Sequence, residues 1–214
     1  MHMFPKYLFF LGIVRPLLSV ILGLNVRHRE RLPKQGPAIL AANHNSHLDS
    51  LALMSLLPLR LLPKVRPVAA ADYFLQGRLR SWVSRHLIGI VPLHRSANGQ
   101  TLDERLAAVY AALDSEAILI VFPEGSRGEP ERLARFKSGI AHVAQHYPHV
   151  SIIPVFLHGF GKALPKGEAV LVPFFCDVVV GEPMPRGLDT AAFMQVFEER
   201  MGGLAAEGNF LPWE

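Results

Sequence analysis

Two kinds of apolar patterning divide the chain. Residues 7–24 read Y-L-F-F-L-G-I-V-R-P-L-L-S-V-I-L-G-L, a run interrupted only by Arg15, Pro16 and Ser19. Beyond Pro37, short apolar runs alternate with segments of helical periodicity. This predicts strands over 38–42, 67–71, 88–93, 117–122, 151–157 and 170–180, and helices over 47–57, 73–86, 102–115, 137–147 and 189–201. The clearest helix is 102–115: Thr101 and Glu104 form a capping box, and Leu102, Leu106, Val109 and Leu113 recur at helical spacing. Strands alternating with helices imply an α/β fold, a mainly parallel central sheet covered by helices, with ligands at the carboxyl ends of the strands. The expected division is 1–35 as an N-terminal membrane-associating helical segment and 36–214 as one domain.

As a spanning helix the N-terminal run is marginal. About 20 apolar residues are needed, and Arg15 near its middle costs roughly 2.5 to 3.5 kcal/mol on an insertion scale. Two short helices lying in the interface, with Arg15, Arg27, Arg29 and Arg31 reaching lipid phosphates, accommodate every residue. No small-x-small cleavage pattern follows the run, which argues against a signal peptide. The remaining alternative is a buried core helix.

Composition narrows the class. At 214 residues, 50% hydrophobic and 19% charged, the chain is neither disordered nor a coiled coil, and it lacks the repeated long apolar runs of a transporter. Its single Cys176 excludes an intrachain disulfide framework and a multi-cysteine metal site. The net charge of +4 hides a split: residues 1–95 carry 13 Lys+Arg and 3 Asp+Glu (+10), and residues 96–214 carry 9 and 15 (−6). A basic half attracts nucleic acid, anionic headgroups or acidic ligands such as phosphate esters. Zinc-finger spacing, aromatic RNA-binding signatures and basic heptads are all missing, so nucleic acid is not an expected partner.

Four short stretches carry candidate chemistry. In Asn43-His44-Asn45-Ser46-His47-Leu48-Asp49, the predicted strand gives way to a helix. Five residues along a continuous helix would turn His44 and Asp49 about 140° apart. They meet only if His44 lies in the loop and Asp49 in the first helical turn, with Ser46 as N-cap. Asp49 would then fix the imidazole tautomer and leave the other nitrogen as a general base; alternatively, Ser46-x-x-Asp49 is only a capping box. In Gly89-Ile90-Val91-Pro92-Leu93-His94-Arg95 a strand ends in a guanidinium suited to phosphate. In Phe122-Pro123-Glu124-Gly125-Ser126-Arg127 a strand enters a loop whose amides and Arg127 could hold an anion, with Lys137 adding a cation; the plain alternative is a type I turn with Pro123 second and Gly125 fourth. In Ile153-Pro154-Val155, proline within an apolar run suggests an edge strand or a bulge. His142 and His146 have zinc-ligand spacing without the accompanying glutamate, so no metal is expected. A Gly-x-Ser-x-Gly nucleophile elbow is lacking, and Cys176 reads as a packed apolar residue.

In this order the four stretches resemble the conserved blocks of the glycerolipid acyltransferase family, typified by lysophosphatidic acid acyltransferase: N-H-x-S-x-x-D at 43–49, the arginine-bearing block at 89–95, F-P-E-G-[ST]-R at 122–127 and the proline block at 153–155. The resemblance implies acyl transfer from acyl-CoA or acyl carrier protein to the free hydroxyl of lysophosphatidic acid, giving phosphatidic acid, with no other cofactor. It assigns catalysis to His44 and Asp49, the acceptor phosphate to Arg95, Glu124, Gly125, Ser126 and Arg127, and a structural or acyl-facing role to Pro154. It makes 36–214 the acyltransferase domain and seats the enzyme on the cytoplasmic face of the membrane, by a monotopic segment or a single anchor. Pro92 and His94 stand where lysophosphatidate enzymes commonly carry an aromatic and an acidic residue, and Gly128 replaces a frequent serine. Another lysophospholipid or lyso-aminolipid acceptor, a lipid hydrolase, and a noncatalytic membrane-binding module are the alternatives.

Overall fold

The computed structural model describes residues 3–70, 82–93, 99–128, 132–165 and 170–210. Ala38–Ala42 (β2) is buried at every position because it lies mid-sheet with helices on both faces. The other strands are β1 (Asn25–Arg27), β3 (Val65–Ala70), β4 (Val91–Leu93), β5 (Ile118–Val121), β6 (Ser151–His158) and β7 (Asp177–Val180), in the order β1-β7-β6-β2-β5-β3-β4. Every adjacent pair is parallel except β6 and β7. The mainly parallel α/β sheet expected from the sequence is therefore present.

Alternation along β2 divides the core. Ala38, Leu40 and Ala42 pack on one face with α2 (Leu48–Leu56) and the N-terminal helix. Ile39 and Ala41 pack on the other with α3 (Leu102–Asp114), α4 (Gly139–His146) and α6 (Thr190–Gly208). A short α5 (Phe160–Ala163) follows β6. The capping box at the start of α3 forms as expected: Thr101 Oγ1 accepts from the Glu104 amide, and Glu104 accepts from the Thr101 amide. The α6 helix runs beyond 201 because its buried stripe of Phe193, Phe197 and Met201 continues at Leu204. That burial offsets the roughly 1 kcal/mol that each of Gly202 and Gly203 costs a helix.

Several expectations are corrected. Residues 88–90 are not strand: a π-helical turn fills Val83–Ile88, and β4 begins at Val91. Of 170–180, only Asp177–Val180 pairs. The three-residue β1 was not anticipated. Most of the helix expected over 73–86 lies outside the described residues.

Pro154 sits in neither an edge strand nor a bulge. β6 is interior, with Pro154 beside Ala41 of β2, and the proline forgoes only the reciprocal bond to Gly181, beyond the last paired residue of β7. Its carbonyl accepts from Gly181 at 2.8 Å, so its missing N–H faces the same side, just past the end of β7 at Val180. Gly181 permits the approach, since a Cβ there would lie 2.8 Å from the proline ring.

The N-terminal run forms one continuous helical stretch, not two helices. α1 (Met3–Phe9) passes into π-helical turns at Phe10–Val14 and Leu17–Ile21, with helical backbone through Arg15 and Pro16. The widened turns relieve the clash of the proline ring with the preceding turn. They also suit the spacing of four between the buried Phe10, Val14, Leu18 and Leu22. The arginines expected at lipid phosphates serve the protein instead. Arg15 donates to Leu57 O and Arg29 to Leu56 O, both at the end of α2. Arg27 donates to Glu207 O and Gly208 O at the end of α6. Arg31 donates to Val180 O and pairs with Glu182 at 2.8 Å. Cations at helix carboxyl ends complement the helix dipole.

Candidate active site

Because β2, β3, β4 and β5 run parallel, the segments leaving their carboxyl ends gather on one side of the sheet. Asn43, directly after β2, is clamped to β6: its Nδ2 donates to Leu157 O at 2.8 Å and its Oδ1 accepts from Leu157 N at 2.7 Å. The next residue, His44, is therefore set down at a fixed place. Its Nδ1 lies 2.9 Å from Asp49 Oδ2. Asp49 is 0% exposed in the first turn of α2, and the same oxygen accepts the amides of Asn45 (2.7 Å) and Ser46 (2.8 Å). Three donors on one carboxylate oxygen hold it rigidly. With the carboxylate accepting, Nδ1 carries the proton and Nε2 is left as the basic atom.

Ser46 is not the N-cap; His47 occupies that position, while Ser46 Oγ accepts from Leu48 N and donates to Leu164 O. The Phe122 ring stacks on the His44 imidazole at 3.9 Å with planes 16° apart, which fixes the ring's remaining freedom. Gly128 N donates to His44 O at 2.9 Å, tying the loop after β5 to the loop after β2.

That second loop is the turn read from the sequence, closed by Gly125 N to Phe122 O at 3.0 Å, with Gly125 at φ +76°. Lys137 lies across it: its amide donates to Pro123 O at 2.9 Å, and its side chain fills the space a Cβ on Gly125 would need. His44, Phe122, Gly125, Ser126, Arg127 and Lys137 all line one cavity of about 770 Å³. Its inner wall is apolar, built from Ile39 and Val68 of the sheet, Leu106 and Val109 of α3, and Ile140 and Val143 of α4. The charged or titratable lining groups among the described residues are His44, His47, Arg105, Arg127 and Lys137, with no carboxylate. Such a lining suits a long apolar group with an anionic end beside an imidazole base.

A family model described as Acyltransferase matches residues 23–158, which includes both loops of the site. The chain belongs to the acyltransferase family. It is 27% identical over 164 residues to human 1-acyl-sn-glycerol-3-phosphate acyltransferase alpha, covering 76% of this chain and 55% of that protein. It is 31% identical over 155 residues to the 1-acyl-sn-glycerol-3-phosphate acyltransferase of Limnanthes douglasii, covering 72% of this chain and 53% of that one. The matches thus span about half the length of these curated relatives. The crystal structure of PlsC, the 1-acyl-sn-glycerophosphate acyltransferase of Thermotoga maritima, shares the fold, with a TM-score of 0.71 at 20% identity, covering 97% of this chain and 83% of that one.

Within this member of the family the structure brings His44, Asp49, Gly125, Ser126, Arg127 and Lys137 together. Arg95 lies outside the described residues. Pro154 is in the core, not on the cavity. Glu124, expected at the acceptor phosphate, does not line the cavity either. It is turned inward, 4% exposed, with neither carboxyl oxygen hydrogen-bonded. Burial pushes its pKa up to about 7 and the Asp49 charge adds to the rise, while the nearby amides of Ala134 and His44, short of hydrogen-bond geometry, pull it back only partly. The carboxyl is thus held inside the loop, beside Asp49 and away from the cavity lining.

Asn43, Phe122 and Arg105 were not given roles from the sequence. A buried polar residue right after a strand signals the first, and the block pattern contains the second. The third gives no signal, since only the packing of α3 brings Arg105 to the cavity. The decoys resolve locally: His142 lies 2.8 Å from Asp103, and His146 stacks on Tyr110.

Proposed function

We propose that this chain catalyses direct transfer of a fatty acyl group from an acyl thioester, acyl-CoA or acyl carrier protein, to the free hydroxyl of lysophosphatidate, giving phosphatidate. The observation that carries the reading is the His44–Asp49 pair at 2.9 Å, opening onto an apolar cavity whose charged lining is cationic. Arg127, Lys137 and the Gly125–Ser126 backbone hold the acceptor phosphate, and positioning supplies much of the rate. His44 Nε2 takes the hydroxyl proton as the oxygen attacks the thioester carbonyl. The Asp49 carboxylate stabilises the imidazolium that forms. The tetrahedral intermediate collapses, the C–S bond breaks, and the thiolate leaves with the proton returned from His44. No acyl-enzyme forms. The exposed face of the N-terminal helix rests in the cytoplasmic leaflet as a monotopic anchor, which brings a membrane-borne acceptor to the cavity.

The relatives' names and the family motifs favour lysophosphatidate over other lysolipids. The test is thiol release from palmitoyl-CoA with lysophosphatidate or uncharged monoacylglycerol as acceptor. The expected result is release that requires lysophosphatidate and falls roughly 10² to 10⁴-fold in His44→Ala. Wild-type rates in a folded His44→Ala protein would overturn the mechanism, and release without an acceptor would make the protein a thioester hydrolase.

A further inference from the structure

The sequence suggested one membrane element; the structure presents two apolar surfaces side by side. On the N-terminal helix, Phe4 is 76% exposed and Val20 80%, with Leu8, Leu11 and Ile13 also open. The only charged residues of that run, Lys6 and Arg15, are drawn inward onto Ile88 O and Leu57 O. The exposed face therefore carries no ionised group. The second surface is the segment before β7. Residues 170–176 read V-L-V-P-F-F-C, without a charge, and were expected to be strand. They are irregular, and Phe175 is 81% exposed, with Val170 and Val172 exposed beside it.

Backbone bonds lock this segment to the end of the helical run and to α5. Cys176 N donates to Leu22 O, Asn25 N donates to Cys176 O, and Val172 N donates to Ala163 O. The Phe175 ring lies so close over Gly23 that a Cβ there would sit 2.7 Å from it. Phe175 thus continues the apolar surface of Val20 and Ile21 across to a second piece of chain. An extended apolar surface of this kind marks an interaction site, and an aromatic ring held in water is stabilised by burial.

We propose that the 170–175 segment is a second bilayer-inserting element, entering the same leaflet as the N-terminal helix, with Phe175 as its anchor. The inference rests on the membrane reading given above and extends it. Continuity with the helix face and the withdrawal of both cations select lipid acyl chains as the occupant. Two insertion points, unlike one helix, also fix the rotation of the protein about the helix axis, and so the direction in which the cavity faces the leaflet.

The test places an environment-sensitive dye at Phe175→Cys in a Cys176→Ala background, with a control dye at Glu198→Cys on exposed α6. Vesicles of 3:1 phosphatidylcholine and phosphatidylglycerol are added, with and without spin-labelled acyl chains. The expected result is a blue shift and quenching by the spin label at 175 and neither at 198, together with roughly tenfold weaker vesicle partition for Phe175→Ser. If the protein binds vesicles while the dye at 175 stays in water and Phe175→Ser partitions as wild type, this proposal fails and the helix anchor stands. If the protein does not bind vesicles, both fail.

Discussion

A carboxyl group with neither oxygen hydrogen-bonded is expensive to ionise, and Glu124 is such a group, buried behind the site loop. Its pKa stands near 7 in the folded protein against 4.5 ordinarily, so the folded state holds a proton that the unfolded chain has already released. The contribution of this group to stability is therefore full below about pH 4.5 and is lost as pH rises through 7. At 1.36 kcal/mol per unit the ceiling is about 3 kcal/mol, and solvent screening brings the contribution below it. Glu124→Gln, which cannot ionise, should flatten this dependence. Melting temperatures at pH 5 and pH 8 check it: wild type should fall by several degrees more than the variant. Parallel falls would mean that the carboxyl is satisfied at both pH values. His44 and Asp49 were readable because a strand-to-helix junction leaves one geometry in which they meet. Glu124 was not, because whether a carboxyl in a tight turn faces ligand or protein depends on how that turn sits against Asp49 and Ala134.

At the level of elements, periodicity identified the interior strands and the covering helices, and it failed where packing overrides local pattern. Three residues of β1 at a sheet edge carry no periodic signal. The apolar stretch at 170–176 reads like a strand yet joins no ladder, its backbone bonding instead to Leu22, Asn25 and Ala163. The N-terminal helix is the instructive case, since Arg15 in an apolar run reads as a lipid-phosphate ligand. In the fold it donates to Leu57 O where α2 ends. Arg15→Met should therefore cost roughly 1.5 to 3 kcal/mol of stability, the worth of a hydrogen bond to a charged group, and leave vesicle partition unchanged. Denaturant unfolding beside vesicle sedimentation separates the two roles. A phosphate ligand would show the reverse: unchanged stability, with partition weakened most at low salt.

Across the whole molecule, the split of +10 and −6 between the two parts of the chain does not map onto the site. Among the described residues the Lys and Arg side chains lining the cavity, Arg105, Arg127 and Lys137, all come from the second, net-acidic part. Folding, not composition, gathers them, which is why the basic character of residues 1–95 pointed to an anionic ligand without locating it. Several arginines that produced that signal are occupied at helix ends, leaving fewer cations for substrate than the sequence implied. Lys137 gives the sharpest test. It reaches the cavity across Gly125, far from the His44–Asp49 pair in sequence, and its amide, which positions the loop, survives a side-chain change. Lys137→Ala should raise KM for lysophosphatidate roughly tenfold, the lower end for a charged hydrogen bond at an exposed position, and should change kcat little. Monoacylglycerol has no phosphate to lose, so its weaker turnover should be the same in both proteins. Raising the salt concentration should narrow the gap for lysophosphatidate alone. Equal losses with both acceptors would mean that Lys137 supports the loop and binds no phosphate, and would leave the phosphate to Arg127 and the loop amides.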